Sequence, residues 1–506
     1  MASAILEALS ARPLLLPFLL VACIGAIRAF GTVDSDVSWQ LWIAHQLNGG
    51  ARLYSDIIET NPPLWFWMGM PVDRLAQIIH IRSDHVLIAI IGVLALLSLG
   101  ATNHLVRSID APRRAALLSY AALVLVAIPW LQFGQREQIA LIGTLPYAAL
   151  VGARRTGRDV HPSLAFVVGA LAAAGFALKH YFLIVPILLE LWLIAGEPKK
   201  WRPLRPETAA VVLVGALYAI AFVLLASSYF SVALPLILLA YGVTGAERFV
   251  DLLQPAVLVA LATLVLIAAY PRILRSDRSG FGEALAVAAA GFAGAYFVQA
   301  KGWTYHAVPL AACASLAFVS FLGAGDKPPR FATLAAPALL FLPFWIAAQQ
   351  AVHEPQTEMD VRQAVEGLGA GDSVGFIGSD PALGWNVTLQ RHFNYPSRYN
   401  GFWMMRAVVR NEASRNPDPR FSSLGKLVVR QTVVDFQCLP PRRIIIARPT
   451  GAARAGEFDI LAFFLRDPRF SRLLAHYRPV ERSSVEVFER ISPLAPGRDC
   501  LRRAGD

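Results

Sequence analysis

The sequence predicts an α-helical polytopic membrane domain of about eleven transmembrane helices over residues 1–350, followed by a soluble α/β domain over residues 351–506. Of the 506 residues, 56% are apolar and only 16% are charged. Soluble domains average about 45–50% apolar and about 25% charged residues. The mean hydropathy is +0.50, and the apolar residues are concentrated before residue 350. A membrane domain with a soluble C-terminal domain fits this distribution better than a soluble multidomain enzyme does.

Eleven apolar stretches predict the membrane helices, and several approach the ~20 residues that cross a hydrocarbon core of ~30 Å. The first stretch lacks a small-residue cleavage site and more stretches follow it, so it is predicted to be a retained anchor. Lys179 and His180 separate two short stretches and are predicted to form a tight hairpin. The stretches are residues 13–31, 86–106, 115–131, 138–153, 162–178, 181–196, 208–228, 255–271, 283–299, 304–323 and 331–349.

The C-terminal region mixes strand and helix patterns. Strands are predicted over Ser373–Ile377, Arg443–Ala447 and Ser484–Glu489, and helices over Val361–Leu368, Phe458–Leu465 and Arg469–Tyr477. This alternation supports a small α/β domain. In an oxidising compartment, Cys438 and Cys500 could form a disulfide.

Positive residues predict the orientation, because cytoplasmic loops are enriched in Lys and Arg. Within residues 1–350, sixteen fall at the N-terminus and in alternate loops, including the segment Lys199–Arg205, and eight fall on the opposite side. The N-terminus is therefore predicted to be cytoplasmic, and the loop 32–85 and the C-terminal domain periplasmic. The composition is typical of bacteria, so the predicted location is a bacterial inner (plasma) membrane.

The net charge of +11 raises the question of a nucleic-acid partner. The basic residues form no dense run, and no zinc-finger or RNA-binding signature is present. Nucleic acid is therefore not an expected partner, and membrane lipid is.

Polar residues of both signs are predicted at the outer ends of the helices, which indicates a functional site on that face. They are Asp34, Asp36, Asp56, Glu59, Glu137, Lys179, His180, Lys301 and His306. The cytoplasmic loops, in contrast, contain mostly Arg, Lys and turn-forming residues.

The first outer loop, residues 32–85, is the most informative segment. Asp34 or Ser35 can cap a helix, and Trp39 and Trp42 recur on its apolar face. This helix is predicted to lie in the membrane interface, with its aromatic rings at headgroup depth, and to end at Gly49.

The second part of this loop places an acid before a helix. Pro63 is suited to the first turn of that helix. Glu59 would then lie near its positive end, where a metal or a phosphate could share the site. A simpler interpretation is two interfacial helices joined by a turn, with solvated carboxylates.

Four features of the loop together carry a family resemblance. They are the acid after the first stretch, the interfacial helix ending in Gly, Tyr54-x-Asp56, and Glu59 before Pro62-Pro63. In these features the loop resembles the first outer loop of glycosyltransferase C superfamily enzymes. These include protein O-mannosyltransferases and lipid A aminoarabinose transferases, which use polyprenyl-phosphate sugars. The stretch Gln299-Ala-Lys-Gly-Trp-Thr-Tyr-His-Ala-Val-Pro-Leu is similar to the family's Lys-x-x-x-Tyr-x-x-x-Pro at the outer start of a late helix.

The resemblance implies roles for the acids. Asp36 matches the catalytic base, with Asp34 as the alternative, because members often have Asp-Glu where this chain has Asp-Ser-Asp. Glu137 matches the second acid. Each also has a structural interpretation, in which Asp34 and Asp36 cap a helix and Glu137 pairs with Arg136.

The resemblance also implies ligands for the donor. Glu59 and, less securely, His306 or His180 would hold a divalent metal (Mg, Mn or Zn) or the donor phosphate, and Lys301 would face the phosphate. Arg136 and Lys179 are further candidates for binding the donor phosphate, because the leaving phosphate gains negative charge. Alternatively, Lys301 snorkels from a helix end, and the histidines are buried structural residues.

The predicted enzyme is a hexosyl- or pentosyltransferase that moves a sugar from a polyprenyl-phosphate donor to an envelope glycan, lipid or protein. A sugar hydroxyl is a poor nucleophile and needs a carboxylate within hydrogen-bond reach. Single displacement with inversion is the simplest mechanism, and no nucleotide cofactor is expected. The alternatives are a transporter or flippase of lipid-linked sugars, for which paired repeats are expected, and a non-catalytic envelope-assembly partner.

Aromatic residues of the C-terminal domain have two interpretations. They are either a surface that stacks on sugars or docks a partner, or part of the domain core. The residues are Trp385, Tyr395, Tyr399 and Trp403, with Arg391 beside them.

Overall fold

The computed structural model describes residues 12–130, 132–196, 201–241, 249–271, 278–323, 329–352, 356–448, 459–482, 485–494 and Cys500. Lys199 and Lys200 of the basic segment Lys199–Arg205 lie outside the described residues, as do the predicted element ends Phe458 and Ser484.

Helices dominate the chain before residue 353. Those longer than ten residues are α1 Leu15–Arg28, α2 Ser35–Asn48, α3 Leu64–Ile79, α4 Ser83–Leu105, α5 Ala111–Val126, α6 Arg136–Arg155, α7 Pro162–Phe176, α8 Ile184–Gly196, α9 Pro206–Leu225, α10 Pro255–Ala269, α11 Phe281–Gln299, α12 Val308–Leu322 and α13 Arg330–Val352. Short 3-10 turns, His180–Leu183 and Thr304–Ala307, lead into α8 and α12.

Each of the eleven predicted apolar stretches contains a helix. Among the described residues, five helices are long and apolar enough to cross a membrane: α4, α9, α11, Thr304–Leu322 and Arg330–Ala348. The chain is therefore a membrane protein, and the total of about eleven spans stays a prediction. Sequence patterns missed the helical segment over residues 229–241, which is largely π-helical.

The chain divides into two compact units. The membrane unit comprises residues 1–33, 79–225 and 246–352. The loop–tail unit comprises residues 34–78, 226–245 and 353–506. Most of the predicted first outer loop thus belongs to the same unit as the C-terminal domain.

Helix α6 is the centre of the membrane unit. It is buried along nearly its whole length and packs against α4, α7, α8, α11 and α12. Its contact with α7 depends on glycine: a Cβ on Gly143 would lie 3.0 Å from Cα of Ala172, and one on Gly175 would lie 2.9 Å from Cα of Ala140. Small residues allow such close helix contacts in membranes. This packing brings the end of α7 beside the start of α6.

A paired charge network lies at the opposite end of α6. Arg154 donates to both oxygens of Glu207, at 3.0 and 3.2 Å. Glu190, on the apolar helix α8, accepts hydrogen bonds from Arg205 and from the indole of Trp201. Pairing explains how these carboxylates are tolerated in an apolar unit.

The loop–tail unit contains a four-stranded sheet. In chain order the elements are α14 Gln356–Ala364, β1 Val374–Ile377, α15 Trp385–Arg391, α16 Met404–Glu412, α17 Pro419–Cys438, β2 Arg443–Ala447, α18 Ile460–Leu465, α19 Pro468–Leu474, β3 Tyr477–Arg482 and β4 Val485–Arg490. The strand order is β1-β2-β4-β3, with β1 and β2 parallel and the other pairs antiparallel. The predicted C-terminal sheet is therefore confirmed.

The sequence prediction differs from this unit in several elements. The helix predicted over Val361–Leu368 is instead Gln356–Ala364, and α15, α16 and β3 were not predicted. The predicted helix Arg469–Tyr477 is wrong at its end, because Phe470, Leu473 and Tyr477 continue a helical spacing although the helix stops at Leu474 and Tyr477 opens β3. Helix α17 was missed, yet it contributes Val428, Val433 and Phe436 to the core. Cys438, its last residue, forms a disulfide with Cys500.

Candidate functional site

A buried cluster at the start of α6 brings together three residues that the sequence predicted for the site. Nζ of Lys179 lies 2.6 Å from Oε1 of Glu137 and 3.0 Å from Nε2 of His306. Oε1 of Glu137 lies 3.7 Å from Nε2 of His306. The exposed fraction is 1% for Glu137 and 5% for His306. These three residues, together with Gln299, are called the Glu137 cluster below.

Four separate segments supply the Glu137 cluster. Glu137 lies in the first turn of α6, where a carboxylate is favoured by the helix dipole. Lys179 follows α7 directly, so the close α6–α7 packing carries it to Glu137. His306 lies in the 3-10 turn before α12, and Gln299, the last residue of α11, accepts from Lys179 at 3.2 Å.

The loop before α6 is held by a buried glutamine. Oε1 of Gln138 accepts from the backbone N–H of Gly134 at 2.7 Å, and its Nε2 donates to the carbonyl of Leu125 at 2.9 Å. This places Glu137 at a well-anchored helix start.

The ammonium of Lys179 defines the proton position on His306. An ammonium group has three N–H donors and cannot accept, and here its acceptors are Glu137, Gln299 and His306. Nε2 of His306 must therefore accept, so the neutral ring carries its proton on Nδ1.

Two buried atoms of the cluster have no hydrogen-bond partner in the described part of the chain: Nδ1 of His306 and Oε2 of Glu137. Buried polar atoms are nearly always paired. The first is a donor and the second an acceptor, so a ligand with both an acceptor oxygen and a hydroxyl would satisfy them.

Other predicted cations surround the Glu137 cluster. Arg136 is buried beside Glu137, and Arg136, Lys179 and Lys301 all lie close enough to His306 to act on it electrostatically. His180 is different, because its side chain is exposed and its ring lies tilted against that of Tyr181, with ring centroids 3.8 Å apart.

The two aspartates of the first outer loop have different positions on α2. Asp34 is the N-cap, and its Oδ1 accepts from the backbone N–H of Asp36 at 2.9 Å. Asp36 lies in the first turn and is half-buried. The predicted capping interpretation is therefore confirmed for Asp34.

Glu59 has a dense set of donors within the loop–tail unit. Its Oε2 accepts from Nε1 of Trp39 at 2.5 Å. Its Oε1 accepts from the backbone N–H groups of Thr60 and Asn61 at 2.7 and 2.8 Å, and from Nδ2 of Asn61 at 2.7 Å. Glu59 is 3% exposed, so its carboxylate is buried but fully hydrogen-bonded.

This donor set does not fit the metal role predicted for Glu59. Metal ligands offer lone pairs to the cation, whereas the groups around Glu59 are N–H and O–H donors that already use both of its oxygens. Over the described ranges, no group of three or more His, Cys, Asp or Glu side chains could hold a metal.

The aromatic predictions for this unit are corrected. Trp39 and Trp42 are buried against protein and do not present an exposed aromatic face. Trp39 stacks on Trp42 at 5.1 Å and packs on Trp385 at 4.3 Å between ring centroids, and Trp42 meets Tyr395 at 5.8 Å. An apolar helix face can meet protein or lipid, and the spacing of Trp39 and Trp42 does not distinguish them.

Of the two interpretations of the C-terminal aromatic residues, the core interpretation is confirmed for Trp385, Tyr395 and Tyr399, which are 1%, 6% and 4% exposed. Trp403 is partly buried. Burial raises the pKa of Tyr395 above its usual value. Arg391 remains exposed.

Comparison with known proteins bears on the fold. No family model matches the chain, and no curated protein sequence matches it significantly. The crystal structure of ArnT from Cupriavidus metallidurans bound to undecaprenyl phosphate is similar, with a TM-score of 0.53 and 12% identity, over 95% of this chain and 99% of ArnT. The chain therefore shares its overall fold with ArnT.

Two further structures are more distant. The Archaeoglobus fulgidus oligosaccharyltransferase in complex with Zn and sulfate has a TM-score of 0.46 at 12% identity, over 85% of this chain and 68% of its own. The oligosaccharyltransferase AglB of the same organism, in complex with an inhibitory peptide and a dolichol-phosphate, has a TM-score of 0.45 at 12% identity, over 94% and 74%.

Proposed function

We propose that the protein is a membrane glycosyltransferase that transfers a hexosyl or pentosyl group from a polyprenyl-phosphate carrier to an envelope glycan, lipid or protein. The observation that carries this proposal is the buried donor and acceptor of the Glu137 cluster, at Nδ1 of His306 and Oε2 of Glu137. A sugar phosphate offers both complementary groups. The fold supports the same class, since ArnT, which shares it, is bound to undecaprenyl phosphate.

The proposed reaction is a single displacement. Asp36 takes the proton of the acceptor hydroxyl, whose oxygen forms a bond to the anomeric carbon as the bond from that carbon to the phosphate oxygen breaks. The anomeric configuration inverts, and polyprenyl phosphate leaves with the bonding electron pair. Asp36 is preferred to Asp34 because Asp34 caps α2.

The donor phosphate is assigned to cations and to a histidine N–H. Arg136, Lys301 and Nδ1 of His306 stabilise the negative charge that develops on the leaving oxygen. Oε2 of Glu137 accepts a hydrogen bond from a sugar hydroxyl. Lys179 has all three protons engaged within the cluster, so its role is to hold Glu137 and His306 in place rather than to bind phosphate directly.

The proposed orientation has the N-terminus in the cytoplasm and the loop–tail unit in the periplasm of a bacterial inner membrane. The positive-inside rule supports it. Single cysteines introduced at Thr156 and at Ser414 test it with a membrane-impermeant maleimide on intact spheroplasts. Labelling at residue 414 but not at residue 156 is expected, and the reverse pattern would refute the orientation.

The activity is tested with the full chain in nanodiscs. Undecaprenyl-phosphate hexoses and pentoses are incubated with envelope extract, and released undecaprenyl phosphate is measured. Asp36→Asn should lower turnover by roughly 10²-fold or more, as should His306→Ala. Arg420→Gln, which disrupts an exposed ion pair with Asp418, is the control and should keep wild-type turnover.

The same variants separate an enzyme from a transporter. Asp36→Asn in an enzyme should bind the donor but not release the carrier. A flippase would give a different result: Asp36→Asn would still move lipid-linked sugar across proteoliposome membranes, and the wild type would release no carrier. That result would refute the proposed enzyme.

A further inference from the structure

We propose that the segment Tyr395–Asn400 of the C-terminal domain, anchored to α17 by Asp435, is a positioning clamp for the Glu59 carboxylate. The segment is separated from Glu59 by more than 300 residues, yet it contacts both supports of that carboxylate: the backbone before it and the aromatic cluster that contains its Trp39 donor. The contacts alone carry the positioning of Glu59. The effect on turnover rests on the proposed function, because Trp39, which donates to Glu59, lies one turn after the proposed base Asp36 on α2.

The first support is a backbone contact. The N–H of Ile58, the residue directly before Glu59, donates to the carbonyl of Arg398 at 2.8 Å. Ile58 and Tyr399 form an isolated parallel β-bridge. The clamp therefore determines where the chain enters the Glu59 turn.

The second support is aromatic. Trp39 donates to Oε2 of Glu59, and its ring packs on Trp385. The indole of Trp385 donates to the carbonyl of Asn400 at 2.9 Å, and its ring packs edge-on against Tyr395 at 4.6 Å between centroids. Tyr395 and Asn400, the two ends of the clamp, thus hold the ring of Trp385. Trp39, the donor to Glu59, packs on that ring.

Asp435 anchors the clamp on α17. Its carboxylate is fully buried. It accepts from the backbone N–H of Arg398 at 2.9 Å and from Nε and a terminal nitrogen of the same guanidinium at 3.1 and 2.8 Å. One carboxylate therefore fixes both the main chain and the side chain of Arg398. A fork of this kind adds geometric specificity as well as energy.

A second contact supports the anchor one turn earlier on α17. The hydroxyl of Tyr399 donates to the side-chain carbonyl of Gln431, and Tyr395 donates to the carbonyl of Tyr399 at 2.7 Å. These hydrogen bonds fix the clamp to α17 in the domain core. A displacement of Asp435 should therefore also move the backbone of Arg398, which accepts from Ile58.

The test uses Asp435→Asn in the full chain, which keeps the size of the side chain and removes its charge. Hydrogen exchange of the peptide that contains Ile58 should become roughly tenfold faster, because the Ile58 N–H loses a fixed acceptor. For transfer, kcat should fall roughly tenfold with KM for the donor within about twofold, as expected when a positioned group shifts by a fraction of an ångström.

Glu489→Gln is the matched control. It also removes a carboxylate charge paired with arginines, on β4 of the same unit, but it does not touch the clamp. Ile58 exchange and kcat should stay at wild-type values. Arg398→Lys is the second variant, used if Asp435→Asn does not fold: it keeps the charge but loses the fork, and it should reproduce the Ile58 effect.

The outcomes are distinct. Unchanged exchange at Ile58 in a folded Asp435→Asn or Arg398→Lys protein overturns the clamp. If exchange at Ile58 is faster but kcat is unchanged, the link between the clamp and turnover is overturned. The proposed function stays intact in that case, provided that Asp36→Asn inactivates the enzyme. Faster exchange at Ile58 in the variants, together with no transferase activity in the wild type, confirms the clamp and refutes the proposed function.

Discussion

The ammonium of Lys179 lies 2.6 Å from Oε1 of Glu137, although the two residues are 42 positions apart in the chain. A buried ion pair is retained only where geometry and further hydrogen bonds offset the desolvation of both charges. Here Gln299 and His306 accept the remaining ammonium protons. The arrangement leaves the second oxygen of Glu137 available for a ligand.

Lys179→Met should destabilise the membrane unit. Removing one partner leaves the Glu137 charge buried, which costs about 3–5 kcal/mol, and the thermal unfolding midpoint in detergent should fall. Adding Glu137→Gln to the same chain should restore most of the midpoint but not turnover. Glu207→Gln, which breaks the remote pair with Arg154, should lower the midpoint with little effect on donor KM. A midpoint that Lys179→Met leaves unchanged would contradict this account of the pair.

Substitutions at His306 test the proton position. Asn presents its N–H₂ near the place of Nδ1, whereas Gln presents it near Nε2. His306→Asn should retain turnover within roughly tenfold of wild type, while His306→Gln and His306→Ala should lose about 10²-fold or more. Turnover assays over the three variants measure this. Better activity in the Gln variant than in the Asn variant would reverse the tautomer assignment.

The contact between the end of α2 and α3 should be pH-dependent. Nδ1 of His45 lies 3.2 Å from Oδ1 of Asp73, and this hydrogen bond raises the pKa of His45 above 6.5 although burial opposes it. Burial raises the pKa of Asp73, but hydrogen bonds from His45, Asn48 and Gln77 outweigh it and the pKa is lowered below 3.8. Asp73 is therefore ionised throughout the range in which His45 titrates.

A group whose pKa is raised on folding adds stability below its unfolded pKa and loses it as the pH rises through the folded value. The unfolding midpoint of the wild type should therefore exceed that of His45→Asn at about pH 5.5, and the gap should close as the pH rises above 6.5. Asp73→Asn should abolish this pH dependence. A gap that widens toward alkaline pH would show that the sign is wrong.

The disulfide between Cys438 and Cys500 should stabilise the loop–tail unit. It closes a segment with a sequence separation of 62, and the loop-entropy model assigns such a closure about 4 kcal/mol. The Cys438→Ser, Cys500→Ser double variant should unfold at a lower temperature, and reductant should lower the wild-type midpoint to the same value. Cys23→Ser, which removes an unpaired thiol, is the control. Equal midpoints for the double variant and the wild type would refute a stabilising bond.

Local sequence rules predicted much of the chain. The cap at Asp34, the end of α2 before Gly49 and the start of α3 after Pro63 follow from backbone preferences of single residues. Strands β1 and β2 were located within one residue. These features depend on neighbours along the chain, so the sequence contains the information directly.

Contacts between distant segments were harder to predict. The structural interpretation of Glu137 had it pair with Arg136 or a neighbour, whereas its partner is Lys179; its role in the site stays a prediction. Gln299 stands in the motif that carried the family resemblance, yet nothing in its spacing indicated that it would accept from Lys179. Asp435 and Arg398 were not singled out at all, because an isolated Asp in an amphipathic helix has the same local pattern whether it is solvated or buried.

The amino-acid sequence by itself determined that this is a helical membrane protein with a small α/β domain, where its apolar stretches lie, and which polar residues stand near helix ends. Only the tertiary structure decided which of those residues are in contact and that the tryptophans of α2 pack against protein. It also decided that both carboxylate oxygens of Glu59 accept hydrogen bonds from nearby donors. The physical reason is that hydrophobic periodicity identifies a buried face without specifying what covers it. Hydrogen bonds and ion pairs, in contrast, depend on sub-ångström distances that the packing of distant segments sets.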